Sequence, residues 1–170
     1  VAHCTVCENA SLSITIGSRT VMSAKIPVGI LGATGAVGQK FIKLLDAHPW
    51  FEIAEVAASE RTSGKLYGDA ASWRQVTSIP ESVRNLEVKP CRPDLKCRIV
   101  FSGLDAGVAG LIEEDFARAG YVVLSNSKNH RLDEDVPLVI PEVNPDHLGL
   151  IPVQRKNRQS HGYIVTNANC

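Results

Sequence analysis

The chain has 170 residues, with 18 Lys and Arg against 18 Asp and Glu, 44% hydrophobic residues and 13 glycines. A domain of this length buries roughly 70% of the surface its unfolded chain exposes and needs no disulfides to hold a core. A formal charge of zero with no basic run excludes the footprint of a nucleic-acid binder, and no segment reaches the ~18 uninterrupted apolar residues of a membrane helix, so neither partner is expected.

Taken in chain order, residues 1–21 mix Ser, Thr, Cys and Asn without sustained period and read as an extension outside the fold. The single methionine, Met22, stands just before the first readable strand, where a natural start is expected. Residues 26–31 form a short apolar run closed by Gly32. Val37, Phe41, Leu44 and Leu45 then recur at helical spacing over 37–47. Residues 51–58 read as the second strand, 86–88 and 99–101 as shorter ones, and 65–85 is ambiguous. A helix is expected over 106–119, with Val108, Leu111, Ile112 and Phe116 on one face and Gly120 as its stop. Strands at 121–124, 136–140 and 163–166 complete the set. Strands alternating with helices imply an α/β fold, a Rossmann-like, doubly wound, mostly parallel sheet whose ligands bind beyond the strands' carboxyl ends.

Cys4, Cys7, Cys91, Cys97 and Cys170 are odd in number and unevenly spread, which fits a reducing compartment rather than a disulfide framework, and a cytoplasmic protein is expected. Cys4 and Cys7 have the spacing of a zinc pair, but no second pair accompanies them, so no metal is expected.

The strongest local signal is Gly29-Ile-Leu-Gly32-Ala-Thr-Gly35-Ala-Val-Gly38, between a strand and a helix. Glycines at this spacing allow a tight turn, close approach of the backbone to a pyrophosphate, and packing of helix on strand. The context predicts dinucleotide binding, with Gly32, Thr34, Gly35, Ala36, Val37 and Gly38 in the phosphate loop. It is not a P-loop, because no Gly-Lys-Ser/Thr follows. At the end of the second strand, Ala58-Ser59-Glu60-Arg61-Thr62 offers both chemistries that choose between NAD and NADP. Ser59, Arg61 and Thr62 can hold a ribose 2′-phosphate, and Glu60 can accept from a 2′-hydroxyl. The three donors favour NADP.

Gly32-Ala-Thr-Gly-Ala-Val-Gly38, Ala58-Ser-Glu-Arg61, Tyr67-Gly-Asp-Ala-Ala-Ser-Trp73, Phe101-Ser-Gly-Leu-Asp-Ala106, Ser125-Asn-Ser-Lys-Asn-His-Arg131, Val136-Pro-Leu-Val-Ile-Pro-Glu-Val-Asn-Pro145 and Asn167-Ala-Asn-Cys170 occur in this order. In that set the chain resembles aspartate-semialdehyde dehydrogenase, most closely the fungal and archaeal branch, from about Met22 to Cys170. The resemblance implies interconversion of aspartate 4-semialdehyde and 4-aspartyl phosphate with NADP and inorganic phosphate, on the route to lysine, threonine and methionine, by a homo-oligomeric parent enzyme. It implies Cys170, after Asn169, as the nucleophile: a thiohemiacetal forms, hydride passes to NADP, and phosphate cleaves the resulting thioester. Arg131 corresponds to the residue that holds phosphate. Ser102, Gly103, Leu104, Ser125 and Asn126 correspond to positions that meet the nicotinamide half of the cofactor.

Members of that family continue past the cysteine into a substrate and dimerisation domain, which carries a histidine base and an arginine for the substrate carboxylate. Residues 22–170 therefore read as the NADP-binding domain ending at the nucleophile, with the second domain absent and catalysis by this chain alone not expected. One face of the sheet is expected to lack the helix that the family supplies from its far C-terminus. His48, His130, His147 and His161 precede the nucleophile and are expected in core or surface roles. A free-standing NADP-binding module and a related N-acyl-phosphate reductase remain the alternatives.

Overall fold

The computed structural model describes residues 24–168, so residues 1–23, with the expected extension and Met22, and Asn169 and Cys170 lie outside the described residues. Seven strands form one sheet: β1 (Ile26–Leu31), β2 (Phe51–Ala58), β3 (Val88–Pro90), β4 (Ile99–Ser102), β5 (Val122–Ser125), β6 (Leu138–Val139) and β7 (Tyr163–Asn167). Their order is β3-β2-β1-β4-β5-β7-β6, and every neighbouring pair is parallel. All carboxyl ends thus lie on one edge, and the chain reverses its direction of growth between β1 and β4, where a crevice opens in such sheets.

Helix α1 (Ala36–Leu45) and the single-turn helices α2 (Tyr67–Ala70) and α3 (Glu81–Arg84) cover one face. They bury Val28, Ile30, Ile42, Val56, Tyr67, Val83 and Val88 in one core. Helix α4 (Ala106–Arg118) covers the other, where Leu31, Val100, Phe116, Tyr121, Val123 and Ile164 pack together. Burial on both faces explains why β1 and β4 are apolar runs rather than alternating ones. On the α1 face, cover ends at β4. Beyond it Leu124, Val139 and Val165 line an open apolar groove of about 270 Å³ with Phe41 and Phe101.

The ambiguous stretch 65–85 contains α2 and α3. A 3-10 turn (Pro145–Leu150) and helix α5 (Ile151–Arg158) were not anticipated, because this stretch is strongly polar and carries Pro145 and Pro152 at the starts of its turns. Its anchor is one polar side chain. Gln154 donates to the carbonyls of Ile164 (2.9 Å) and Asp135 (3.1 Å) and accepts from the Ile164 amide (2.7 Å). It thereby serves as a short strand against a stretch of β7 that β6 does not reach. The third strand begins at Val88 rather than at residue 86, and the sixth shrinks to Leu138–Val139.

Both long helices keep part of the expected face in the core, Leu45 in α1 and Phe116 in α4, and turn another part outward. In α1, Gly38, Gln39, Ile42 and Leu45 are buried, and Leu44 is 60% exposed. In α4, Ala109, Glu113, Phe116 and Ala117 are buried, and Leu111 is 77% exposed. Close approach at Gly38 rotates α1 toward its small-residue side. In α4 the expected stripe of Val108 and Ile112 is the wall of a cleft.

Candidate functional site

After β1 the chain turns at Gly32, whose φ of +71° lies in the left-handed region that favours glycine. The Gly35 amide donates back to the Gly32 carbonyl (2.9 Å), and the Ala33 amide donates to Ala57 on β2 (3.0 Å). Helix α1 starts at Ala36 with no side-chain cap and no acidic residue in its first turn. The amides of Ala36, Val37 and Gly38 therefore lack intrahelical acceptors, and the positive end of the helix dipole faces the crevice.

This loop is braced from behind. Tyr67, fully buried, donates its hydroxyl to the Ala33 carbonyl (2.8 Å), and burial pushes its pKa up so that it remains a donor. Gln39, 1% exposed, donates to the carbonyls of Thr34 (3.0 Å) and Ser72 (2.9 Å) and accepts from the Arg74 amide (2.7 Å). Tyr67 thus holds the Ala33 carbonyl, and Gln39 of α1 holds the Thr34 carbonyl while tying the helix to the segment 67–74. Tyr67→Phe, which leaves the Ala33 carbonyl without its buried donor, is expected to cost about 1–3 kcal/mol of stability in urea denaturation.

Loop and helix form one wall of a cleft of about 700 Å³. Gly32, Thr34, Gly35, Ala36 and Val37 line it at the centre; Ala58, Ser59, Glu60 and Arg61 after β2, with Cys91 and Arg92 after β3, line one end. Gly103, Leu104, Asp105, Val108 and Ile112 close the other side. Gly38 lies beneath the loop, where it admits the Gly32 carbonyl. Most of the positions expected to hold a dinucleotide are therefore brought together around one cleft. Thr62 is set back from it: its hydroxyl donates to the Ser59 carbonyl (3.0 Å) and tightens the turn after β2.

Ser102 and Ser125 point away from the cleft. Both hydroxyls donate to Glu113 Oε1 of α4, at 2.5 and 2.9 Å, and both residues are buried. Glu113 is fully buried, its Oε2 has no hydrogen-bond partner among the described residues, and His130 Nε2 lies 3.8 Å from that oxygen. Burial pushes the Glu113 pKa up by more than the two serines and His130 pull it down. A carboxyl group thus ties together the ends of the two strands whose loops flank the crevice. Sequence reading missed it, although an acidic residue between Ala109 and Ala117 on the stripe of Phe116 is the pattern of a buried charge on a helix.

A second polar cluster sits where β5 and β7 end. Arg131 Nη2 donates to the Asn126 carbonyl (2.9 Å) and to Asn167 Oδ1 (3.4 Å), and Asn167 Nδ2 donates to Asn126 Oδ1. Arg131 Nε is buried without an acceptor among the described residues. The loop carrying Arg131 is fixed by His130 on Asp133 (2.9 Å) and by Arg158 of α5 on Asp133 and Asp135 (2.9 and 2.8 Å). His130 is therefore a buried structural residue, and His147 and His161 are exposed. Asn169 and Cys170, which follow the end of β7, lie outside the described residues. Among the described residues no helix is long and apolar enough to cross a membrane, and no three His, Cys, Asp or Glu side chains are grouped to hold a metal.

Residues 27–151 match the family model described as semialdehyde dehydrogenase, NAD binding domain. The chain is 54% identical over 144 residues to the aspartate-semialdehyde dehydrogenase of Archaeoglobus fulgidus, covering 84% of this chain and 42% of that one. It is 52% identical over 151 residues to the enzyme of the same name from Cryptococcus neoformans, covering 86% and 41%. The crystal structure of aspartate semialdehyde dehydrogenase with NADP from Candida albicans superposes with a TM-score of 0.76 at 47% identity, over 84% of this chain and 42% of that one. The chain spans about two fifths of the length of these relatives. A parallel sheet with a glycine turn at its crevice, matched along most of its described length, makes this chain a member of the semialdehyde dehydrogenase NAD-binding-domain family.

Proposed function

We propose that the cleft binds NADP and that the protein belongs to an aspartate-semialdehyde dehydrogenase, which converts aspartate 4-semialdehyde and phosphate to 4-aspartyl phosphate. The observation that carries this reading is the convergence of the braced glycine loop, the uncapped start of α1 and the Ser59 to Arg61 turn on one cleft. The Candida albicans relative that superposes on the chain is a crystal structure with NADP. Gly32 and Gly35 shape the turn, Thr34, Ala36 and Val37 meet the pyrophosphate through backbone amides, and Gly38 makes room for that approach. Ser59 and Arg61 hold the 2′-phosphate, and Thr62 shapes their turn. Gly103 and Leu104, with the Asn126 end of β5, receive the nicotinamide half; Ser102 and Ser125 act there through their backbone, since their hydroxyls are committed to Glu113.

Bound NADP supplies a hydride acceptor. The chain supplies the nucleophile, Cys170, whose sulfur bonds to the aldehyde carbon and carries the acyl group until phosphate displaces it. Asn169 adjoins it. Arg131 holds the phosphate, and its Nε, without an acceptor among the described residues, supports an anionic partner.

NADPH is expected to bind more tightly than NADH, and Arg61→Ala to remove about 1.5–3 kcal/mol of that preference, both read by titration calorimetry. Equal affinity of the wild-type chain for the two nucleotides would sink the NADP assignment. This chain alone, which spans about two fifths of its relatives' length, is not expected to form NADPH from aspartate semialdehyde and phosphate; formation on mixing with a separately expressed second domain, lost in Cys170→Ser, checks the reaction itself.

A further inference from the structure

The register of β2 against β3 aligns Ala58 with Pro90, so the turns that leave these two strands stand side by side at one end of the cleft. Each turn is fixed by its own hydrogen bonds. On the β2 side, the Thr62 amide and hydroxyl both close on the Ser59 carbonyl, and the Gly64 amide donates to Val88. On the β3 side, the Cys91 thiol lies 3.6 Å from the Ala58 carbonyl, and buried Glu55 anchors the flanks of residues 90–95. Glu55 accepts from the Lys89 ammonium and from the amides of Lys96 (2.6 Å) and Cys97 (3.1 Å). Burial opposes its charge, but these donors outweigh that and hold its pKa below the ordinary value.

Between the two turns, Arg92 Nη2 lies 2.8 Å from Glu60 Oε1. Both residues line the cleft beside Arg61, and both are about two-thirds exposed. This pairing bears on the choice between the two nucleotides. An unpaired Glu60 is the group that accepts from a ribose 2′-hydroxyl and repels a 2′-phosphate. Paired with Arg92, it is neutralised, and Arg61 leaves the site with a net positive charge. An exposed ion pair holds by little, so a dianionic phosphate competes for its arginine with ease. Guanidinium also matches phosphate in bidentate geometry.

We infer that Arg92 is a specificity-determining residue: it rests on Glu60 in the free protein and transfers to the adenosine 2′-phosphate when NADP binds. The inference rests on the proposed NADP site. Glu60 acts as the parking partner that keeps the second cation beside the site without leaving an open carboxylate in it. Removal of Arg92 alone has two consequences, the loss of one cation and the exposure of one anion; both act against the 2′-phosphate, and neither weakens NAD, whose 2′-hydroxyl the freed carboxylate can accept from.

The test is calorimetric titration of NADP, NAD and 2′,5′-ADP into the wild-type chain and the variants Arg92→Ala, Glu60→Gln and the double variant. Circular dichroism checks that each folds. Arg92→Ala is expected to weaken NADP and 2′,5′-ADP by about 10- to 100-fold and to leave NAD within about threefold. Glu60→Gln is expected to tighten NADP, and the double variant to recover part of the Arg92→Ala loss. NADP affinity unchanged in a folded Arg92→Ala, with wild-type binding intact, overturns the role of Arg92 and leaves the NADP site standing. Equal losses for NADP and NAD also overturn it, because the effect is then not addressed to the 2′-phosphate. A wild-type chain that binds neither NADP nor 2′,5′-ADP overturns the NADP reading and this inference with it.

Discussion

Gly38→Ala is expected to destabilise the protein by about 3–5 kcal/mol and to abolish measurable NADPH binding, whereas Gly107→Ala is expected to be neutral or mildly stabilising. A Cβ on Gly38 would stand 2.2 Å from the Gly32 carbonyl oxygen and 2.7 Å from Ala33 Cα. Both are backbone atoms of the loop that the helix must touch, so no rotamer change relieves the clash. Helix α1 has to lift, which separates its first-turn amides from the Gly32 turn and breaks the anion site at its root. At Gly107, near the start of α4, an added Cβ meets nothing within 4 Å, and the substitution trades chain entropy for helix propensity. Urea denaturation with nucleotide titration checks both variants. A Gly38→Ala protein of wild-type stability would show that α1 does not seat on the loop as described.

Glu113→Ala is expected to cost about 3 kcal/mol, because it opens a cavity and leaves the Ser102 and Ser125 hydroxyls buried without an acceptor. Glu113→Gln keeps an acceptor for both serines and removes the charge. It should be far milder, and its stability relative to wild type should rise with pH. The folded-state pKa of Glu113 is raised above the ordinary carboxyl value of 4.5. Between those two values the folded protein keeps a proton that the unfolded chain has released, so stability falls as pH rises through that window and is level above it. The glutamine variant lacks this decline. Stability curves for wild type and Glu113→Gln that stay parallel from acid to neutral pH would show that Glu113 titrates normally.

The same residues show how far the sequence reached into the site. The apolar run into Gly32 and the spacing of Gly35 and Gly38 are local events, since a turn with positive φ and a close helix approach each demand glycine wherever they occur. The strand, turn and helix, their parallel arrangement and the nucleotide end of the sheet were therefore legible from the sequence. So was the basic, hydroxyl-rich turn at Ser59 to Thr62, because it directly follows a readable strand.

What the tertiary structure decided is which side chains meet across elements far apart in the chain. The periodicity of α4 points Val108 at a core, but an apolar stripe is the same whether it faces a sheet or a ligand cleft. The hydroxyls of the serines at the ends of β4 and β5 are committed only because packing sets Glu113 between them. Arg92 sits 32 residues beyond Glu60 in the chain, and only the pairing of β2 with β3 makes them neighbours. Helix α5 was hidden for a related reason: its one buried anchor, Gln154, is polar, and its fit depends on an open stretch of β7 that no local pattern announces. Local stereochemistry is written residue by residue, whereas the partners of a buried polar group are fixed only once the sheet order brings their strands side by side.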